Sequence, residues 1–356
     1  MAVAPPGSSR ARPPSLRPLS IGELFDRAFS IYFRHLLTFA AILLVIVAPL
    51  ALFQFLQLGL THSLLDAYLS LIDSAIKHPS TPPDLTKIND AVLAQSPYSE
   101  MASFAISGLT YLFGFFALPL ANAAVVSGVS RAYLGLPVRF RLCYQDAVRR
   151  WGYALLLMLL WLVVSSVVLI VVFFGIIIAG VFIALLAATL HAVGFVLGGL
   201  IGLTLGVASA GAIIMVYMAF AASFIACVLE RVDPVRAFTL GITRIFGGGL
   251  FSRSLFVAFA IALVFIGISL VAVVIDGLAL WFTKSWYLYV GLAQVFNVLY
   301  VAFAFVLVSV YYYDIRIRRE GFDIQMLADQ ITAPTAQSPS APAVAPPAKP
   351  PPTSAP

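Results

Sequence analysis

No Asp, Glu, Lys or Arg occurs from Trp151 to Leu229. Charge is scarce everywhere else too: charged residues are 10% of the 356, against about 25% in ordinary soluble domains. Hydrophobic residues reach 62%. A bilayer core is crossed by about 20 apolar residues, so this composition excludes a soluble globular fold and predicts a polytopic membrane protein. Cysteine is nearly absent. Cys143 and Cys227 fall near predicted cytoplasmic helix ends, which excludes a disulfide scaffold and leaves them as small packing residues.

Catalytic signatures are missing as well. There is no phosphate-binding Gly-Lys-Ser/Thr loop, no His-Glu-x-x-His and no Gly-x-Ser-x-Gly. The four histidines, at 35, 62, 78 and 191, are scattered, whereas a metal needs clustered ligands. Asp66, Asp73, Asp84, Asp90, Glu100, His62 and His78 share one segment, but at loose spacings that read as a solvated acidic face. No catalytic residue, metal or cofactor is therefore expected. The net charge of +6 is not a nucleic-acid signal, because the arginines flank apolar spans rather than forming a basic face on a solvated domain.

What is present reads as an all-α bundle. Residues 1–19, rich in Pro, Ser and Arg, form a tail without the apolar run of a cleavable signal peptide. Residues 20–330 form the membrane domain, and 331–356 a Pro/Ala-rich tail. Ser20-Ile21-Gly22-Glu23 has capping-box spacing and opens an amphipathic helix suited to the membrane interface or the bundle ends. The first span is expected over 36–58 with Pro49 inside it, followed by polar residues 61–100 carrying two short helices, over 64–72 and 85–94. The second span covers 102–131 and contains Pro119. A basic amphipathic segment at 136–150 leads into the charge-free stretch.

Both ends of that stretch are arginine-rich, so it must cross an even number of times. Its 79 residues amount to about 118 Å of helix, which predicts two long spans joined by a bent, re-entrant or protruding tip around 176–205, with His191 at the tip. Gly194, Gly198, Gly202 and Gly206 recur every fourth residue and predict a helix packing seam; a pore-lining strip is the alternative. Asp233-Pro234 then starts another short basic helix, with Val235, Phe238, Ile242, Ile245 and Phe246 on one side. Spans at 255–275 and 288–311 follow, joined by an outer loop at 276–287.

Charge placement orients the chain. All 17 Arg lie at 10–34, 131–150, 231–253 or 316–319, whereas the outer segments 61–100 and 276–287 hold three Lys against six acids. Positive residues are retained on the cytoplasmic side, which predicts six spans and both termini cytoplasmic. A basic amphipathic segment precedes each outward-going span, at 20–34, 136–150 and 234–253, so the chain reads as three helical hairpins.

Two residue sets are candidates for function. Glu230, Arg236, Arg244, Asp314, Arg316 and Arg319 gather polar groups at the cytoplasmic face, where anionic lipid headgroups or another membrane protein would be the partner. Asn122, Gln294 and Asn297 are polar residues inside the spans, with Gln294 and Asn297 sharing a helix face. The expected function is a lipid- or partner-interacting membrane module; the alternative is a transporter or lipid-translocating protein, suggested by Pro49, Pro119 and the glycine-rich hairpin.

Four short motifs carry a family resemblance. They are Leu19 to Phe29 (LSIGELFDRAF), Tyr133-Leu134-Gly135-Leu136-Pro137, Glu230 to Phe238, and Tyr312-Tyr313-Asp314-Ile315-Arg316 followed by Arg319-Glu320-Gly321-Phe322-Asp323. In this order the chain resembles the membrane domain of glycerophosphoryl diester phosphodiesterase membrane domain-containing proteins. The resemblance implies a six-helix integral membrane protein, but not phosphodiesterase activity, which in that family belongs to a separate soluble domain.

Overall fold

Nine α-helices make up the regular structure of the computed structural model, which describes residues 17–78, 85–247, 249–321 and 324. Among the described residues there is no strand. The expected C-terminal tail, most of the N-terminal one, and residues 79–84 lie outside the described residues.

Local chemistry sets the helix starts. α1 (Ile21–Arg34) begins with the expected capping box: Ser20 Oγ accepts from the Glu23 N–H at 3.3 Å, and the Glu23 carboxylate accepts from the Ser20 N–H at 2.8 Å. Next come α2 (Leu36–Lys77), α3 (Thr86–Leu93) and α4 (Pro97–Tyr133), the last capped by Ser96 with Pro97 in its first turn. α5 (Phe140–Val148), α6 (Trp151–Leu229) and α7 (Pro234–Phe246) follow, with Asp233 capping α7. α8 (Phe251–Thr283) and α9 (Trp286–Glu320) complete the bundle. Five of these, α2, α4, α6, α8 and α9, are long and apolar enough to cross a membrane. The chain is a multi-pass helical membrane protein.

Several helices run further than their apolar cores. α2 was expected to stop near Leu58, yet it continues unbroken through Pro49 to Lys77. Residues 59–77 contain no proline, and a Lys77–Asp73 pair at 2.6 Å supports their last turn. Polarity here marks where the helix leaves lipid, not where it ends. α8 likewise passes Ile275 and reaches Thr283, which places Asp276 inside the helix and buries it rather than leaving it in a loop. α9 continues past Tyr311 to Glu320.

α6 is two helices meeting at His191, whose backbone (φ 50°, ψ −123°) leaves the helical region. The chain folds back there. A Cβ placed on Gly194 would lie 2.0 Å from the Leu186 carbonyl oxygen, and one on Gly198 would lie 2.6 Å from Ile183 Cγ2. Gly202 also approaches Ile183, at 3.3 Å, whereas Gly206 faces open space. Three of the four expected seam glycines therefore let the two arms approach, and His191 is the reversal point.

Three of the four short helices follow one rule, and the fourth, α3, packs on α2. α5 packs on α4, α7 on α6, and α1 on α9. Each lies against the return helix of the hairpin before it, and α1 closes the ring by resting on the last one. On α7 the buried residues are Pro234, Ala237, Gly241, Arg244 and Ile245; of the expected apolar stripe Ile245 is buried, Phe238 and Ile242 are half-buried against the core, and Val235 and Phe246 are exposed. A Cβ on Gly241 would sit 1.9 Å from Ser223 Oγ and 2.7 Å from the Ala219 carbonyl, so α7 meets α6 through its smallest residues. α9 is central: it touches α1, α2, α4, α6 and α8, and its residues Val306 to Ile315 are all buried.

Candidate functional site: a buried ionic rim

Four consecutive residues near the end of α9 organise the basic end of the bundle. Successive helical residues are rotated by about 100°, so they address different neighbours. Tyr311 donates to Ser254 Oγ of α8 at 2.8 Å. Tyr312 reaches the Glu230 carboxylate that ends α6. Tyr313 shares a 2.7 Å hydrogen bond with Ser130 Oγ and stacks on Tyr133 of α4, ring centroids 4.5 Å apart. Asp314 turns toward the chain's beginning, where its Oδ1 accepts from the Leu19 N–H at 2.8 Å.

Asp314 is fully buried and is met by two arginines. Arg253 Nη2 donates to Oδ2 at 2.9 Å and Arg318 Nε to the same oxygen at 3.0 Å. Both arginines also donate to the Leu19 carbonyl, each at 2.7 Å. Leu19 was assigned to the N-terminal tail; it is buried and fastens that tail's end to α8 and α9.

The second cluster centres on Arg244, whose side chain is 6% exposed. It grips Glu230 with both terminal nitrogens, at 2.6 and 3.1 Å, and donates from Nε to Glu320 at 2.8 Å. It also donates to the Tyr312 hydroxyl at 2.6 Å. Arg316 adds 2.9 Å to Glu320 and 3.4 Å to Glu230. Burial alone would raise the Glu230 carboxyl, but hydrogen bonds from Arg244 and Tyr312, with the charges of Arg244 and Arg316, outweigh it and hold it below the usual carboxylate range. For Arg244, burial disfavours the cation, yet Glu230, Tyr312 and Glu320 over-compensate and raise its pKa further.

Five of the six expected rim residues, Glu230, Arg244, Asp314, Arg316 and Arg319, lie at these junctions. Arg319 donates from Nη1 to the Thr243 carbonyl at the end of α7, at 2.6 Å. Arg236 does not join: it is exposed, and its backbone N–H is taken by the Asp233 cap. Reasoning from sequence missed Arg253, Arg318, Glu320 and Tyr312. Glu320 carried a signal in its i,i+4 spacing from Arg316. Arg253 carried none, since its partner is 61 positions away.

The intramembrane candidates have separate settings. Gln294 donates to Gln54 of α2 and lines an otherwise apolar groove of about 730 Å³ with Leu44, Phe55 and Val298. Asn297, on the same helix, is exposed. Asn122 of α4 is half-buried, and its Oδ1 has no hydrogen-bond partner. The described acids of residues 61–100 do not gather, and Asp84 lies outside the described residues: Asp73 pairs with Lys77 and, at 3.6 Å, with Lys284. Among the described residues no three His, Cys, Asp or Glu come together as a metal site, and Cys143 and Cys227 are free and buried. The site is thus an electrostatic joint between helix ends, in a helical membrane-spanning protein without metal- or disulfide-based catalytic features among those residues.

Comparison with known proteins defines the family. Residues 11–337 match the family described as a domain of unknown function (DUF8558), and the chain belongs to it. No curated protein and no solved structure matches significantly. The likeness to the glycerophosphoryl diester phosphodiesterase membrane domain is therefore corrected: the match spans all four motifs and links none of them to that family. The described residues of all four motifs sit where a return helix meets a short helix, α9 with α1, α4 with α5, and α6 with α7. Their aromatic and ionic residues answer a packing need at helix junctions, which is why they carry little family information.

Proposed function

We propose that the protein is a bacterial inner-membrane module with six crossings, counting the two arms of α6 separately, and with both termini cytoplasmic. Its basic end gathers anionic lipid headgroups. The supporting observation is a division among the arginines. Arg244, Arg253 and Arg316, which face the bundle, are matched by Glu230, Asp314 and Glu320. Arg34, Arg139, Arg141, Arg149, Arg231 and Arg236 are exposed in or beside the short helices α1, α5 and α7 and make no ion pair among the described residues. Internal charge holds the joints; unmatched charge is left for the surroundings. Anionic lipids attract each such residue by about 1 kcal/mol at the membrane surface.

The test is lipid preference. Purified protein in nanodiscs should retain phosphatidylglycerol over phosphatidylcholine, with the preference weakening as salt rises. Equal retention of both lipids would end the reading. Labelling of a cysteine introduced at Arg141 from outside intact cells would overturn the orientation.

A transport role is the second reading, favoured by Asp276. This carboxyl is buried in α8, and its Oδ1 has no hydrogen-bond partner. Ionisable side chains within membrane spans commonly serve ion or substrate pathways. Proton or solute flux in proteoliposomes that Asp276→Asn abolishes would establish that role; flux equal to that of empty liposomes would exclude it.

A further inference from the structure

A serine or threonine inside a span can satisfy its hydroxyl by donating to a carbonyl one turn back on the same helix. Ser107, Thr110, Ser165, Thr204 and Ser223 do so, at 2.7–3.1 Å. Ser269 of α8 makes no such bond, and a tyrosine hydroxyl stands too far from its own backbone to make one. Among the described residues, the hydroxyls of Ser269, Tyr217 of α6 and Tyr300 of α9 have no hydrogen-bond partner. All three residues line one groove of about 580 Å³ between α6, α8 and α9.

The groove lies deep in the spans. Ser269 is about 21 Å from the nearer end of α8, and Tyr300 is as far from that of α9. Contacts of Tyr311 with Ser254 and of Tyr300 with Phe265 set α8 antiparallel to α9. The same register brings Ser269 level with residues 296–297. Asn297 is exposed and its side chain has no hydrogen bond among the described residues, so it continues the polar strip one turn beyond Tyr300. The rest of the wall is apolar, Met218, Ile266 and Phe305 included, and no Asp, Glu, Lys or Arg lines it. An apolar concavity with a few polar groups is the usual form of a small-ligand site. Hydroxyls facing bare hydrocarbon forgo the hydrogen bonds they make in water. A charged headgroup would be stranded at this depth without a counter-charge. An uncharged lipid bearing carbonyl or hydroxyl oxygens meets the donors and keeps its chain against the apolar wall.

We propose that the groove between α6, α8 and α9 binds an uncharged lipid through its carbonyl or hydroxyl oxygens, with Tyr217, Ser269 and Tyr300 as donors. This site is separate from the basic end and does not depend on the reading of that end. A neutral glycerolipid and an isoprenoid quinone both carry carbonyls on an apolar chain, and the experiment separates them.

The full chain in detergent is titrated with dioleoylglycerol and, separately, with ubiquinone, and bound lipid is counted by native mass spectrometry. Saturation at one lipid per chain is expected. Tyr217→Phe together with Tyr300→Phe removes two hydroxyls at nearly constant shape. The double variant is expected to bind about thirtyfold more weakly, the loss of two neutral hydrogen bonds, without a lowered unfolding temperature. Ser165→Ala, which removes a hydroxyl already satisfied by its own helix, should leave binding unchanged. Tyrosine-dependent binding of one probe alone assigns the lipid; tyrosine-dependent binding of both assigns recognition to the carbonyl they share. Absence of saturable binding by either probe, or binding that the double variant leaves intact, overturns the site. A measurement without substitution is photo-crosslinking of wild-type protein to a diazirine-bearing diacylglycerol. Adducts on residues 213–218, 258–273 or 300–308 are expected, and labelling confined to other segments refutes the site. Phosphatidylglycerol retention should be the same in the double variant as in the wild type, so this site and the basic end can fail independently.

Discussion

Replacing Arg244 by Met should be among the most damaging single changes at the basic end. The side chain has four hydrogen-bond contacts to carboxylates and one to a tyrosine hydroxyl, and almost none of it reaches solvent. Removing it strands Glu230, whose side chain is 15% exposed, beside Glu320 at 29%. Breaking a buried ion pair from one side costs about 3–5 kcal/mol, because the remaining charge is left uncompensated. Arg316 remains, 3.4 Å from Glu230, and takes up part of the charge. The loss should therefore fall near the lower bound, at about 3 kcal/mol. Arg244→Lys retains the charge but cannot grip Glu230 with two nitrogens, and should lose less. The assay is reversible unfolding in mixed micelles, followed by helical circular dichroism. A double-mutant cycle with Glu230→Gln should give a coupling above about 1 kcal/mol. A loss for Arg244→Met below about 1 kcal/mol, or zero coupling, would show that the cluster is solvated and does not hold the joint.

The α6–α7 contact predicts that Gly241→Ala destabilises by about 1–3 kcal/mol through overpacking, whereas Gly267→Ala, with nothing within 4 Å, stays near neutral on that count. Adding Ser223→Ala should recover part of the loss, as the 1.9 Å approach to Ser223 Oγ disappears while the 2.7 Å approach to the Ala219 carbonyl remains. The reversal at His191 predicts a disulfide between Ile183→Cys and Gly198→Cys on mild oxidation, because their Cβ positions are 3.5 Å apart, within disulfide range. A straight α6 would give none. Acid should loosen the rim. The Glu230 carboxyl is lowered in the folded chain, so its contribution is complete above the ordinary value of 4.5 and is lost as pH falls through the lowered one. The unfolding temperature should drop with acid below about pH 4.5, and Glu230→Gln should flatten that dependence.

The helical class, the short helices ahead of α2, α6 and α8 and the reversal near His191 were legible because they depend on local quantities. Apolar run length, capping residues and glycine spacing are all readable within a few turns. Helix ends beyond the lipid were not. Residues 59–77 carry enough polar groups to suggest a break before the short helix expected over 64–72, but nothing in them stops a helix, and α2 runs through. The face of α7 was legible only in part. Hydrophobicity pointed to Ile245, Phe238 and Ile242, which do pack inward, and to Val235 and Phe246, which do not, whereas the close approach at Gly241 carries no hydrophobic signal. Asp314 stood out by its charge, yet its partners Leu19 and Arg253 are 295 and 61 positions distant.

The ring of short helices explains why charge collects at one end of a chain otherwise so poor in it. Each short helix must be held against a return helix, the preceding one for α5 and α7 and the last one for α1, and its apolar stripe alone would allow it to slide. An ionic contact between a helix end and its neighbour fixes register. Arg131 of α4 meets Asp146 of α5 at 2.7 Å. Glu230 at the end of α6 meets Arg244 of α7. At the third junction, Asp314 of α9 takes the Leu19 N–H that leads into α1, with Arg253 and Arg318 clamped on the Leu19 carbonyl. The return helix is basic at the first junction and acidic at the second and third, and the third acid meets a backbone N–H where the second meets an arginine. Three joints with three chemistries disfavour exchange between equivalent positions, since a short helix docked at the wrong junction would bury an unmatched charge. That argument requires Arg131→Asp to be poorly tolerated alone and restored by Asp146→Arg, with the reversed pair folding to the same stability. Failure of the reversal to rescue would mean that the joint is held by the Gly128–Cys143 contact beside it rather than by charge.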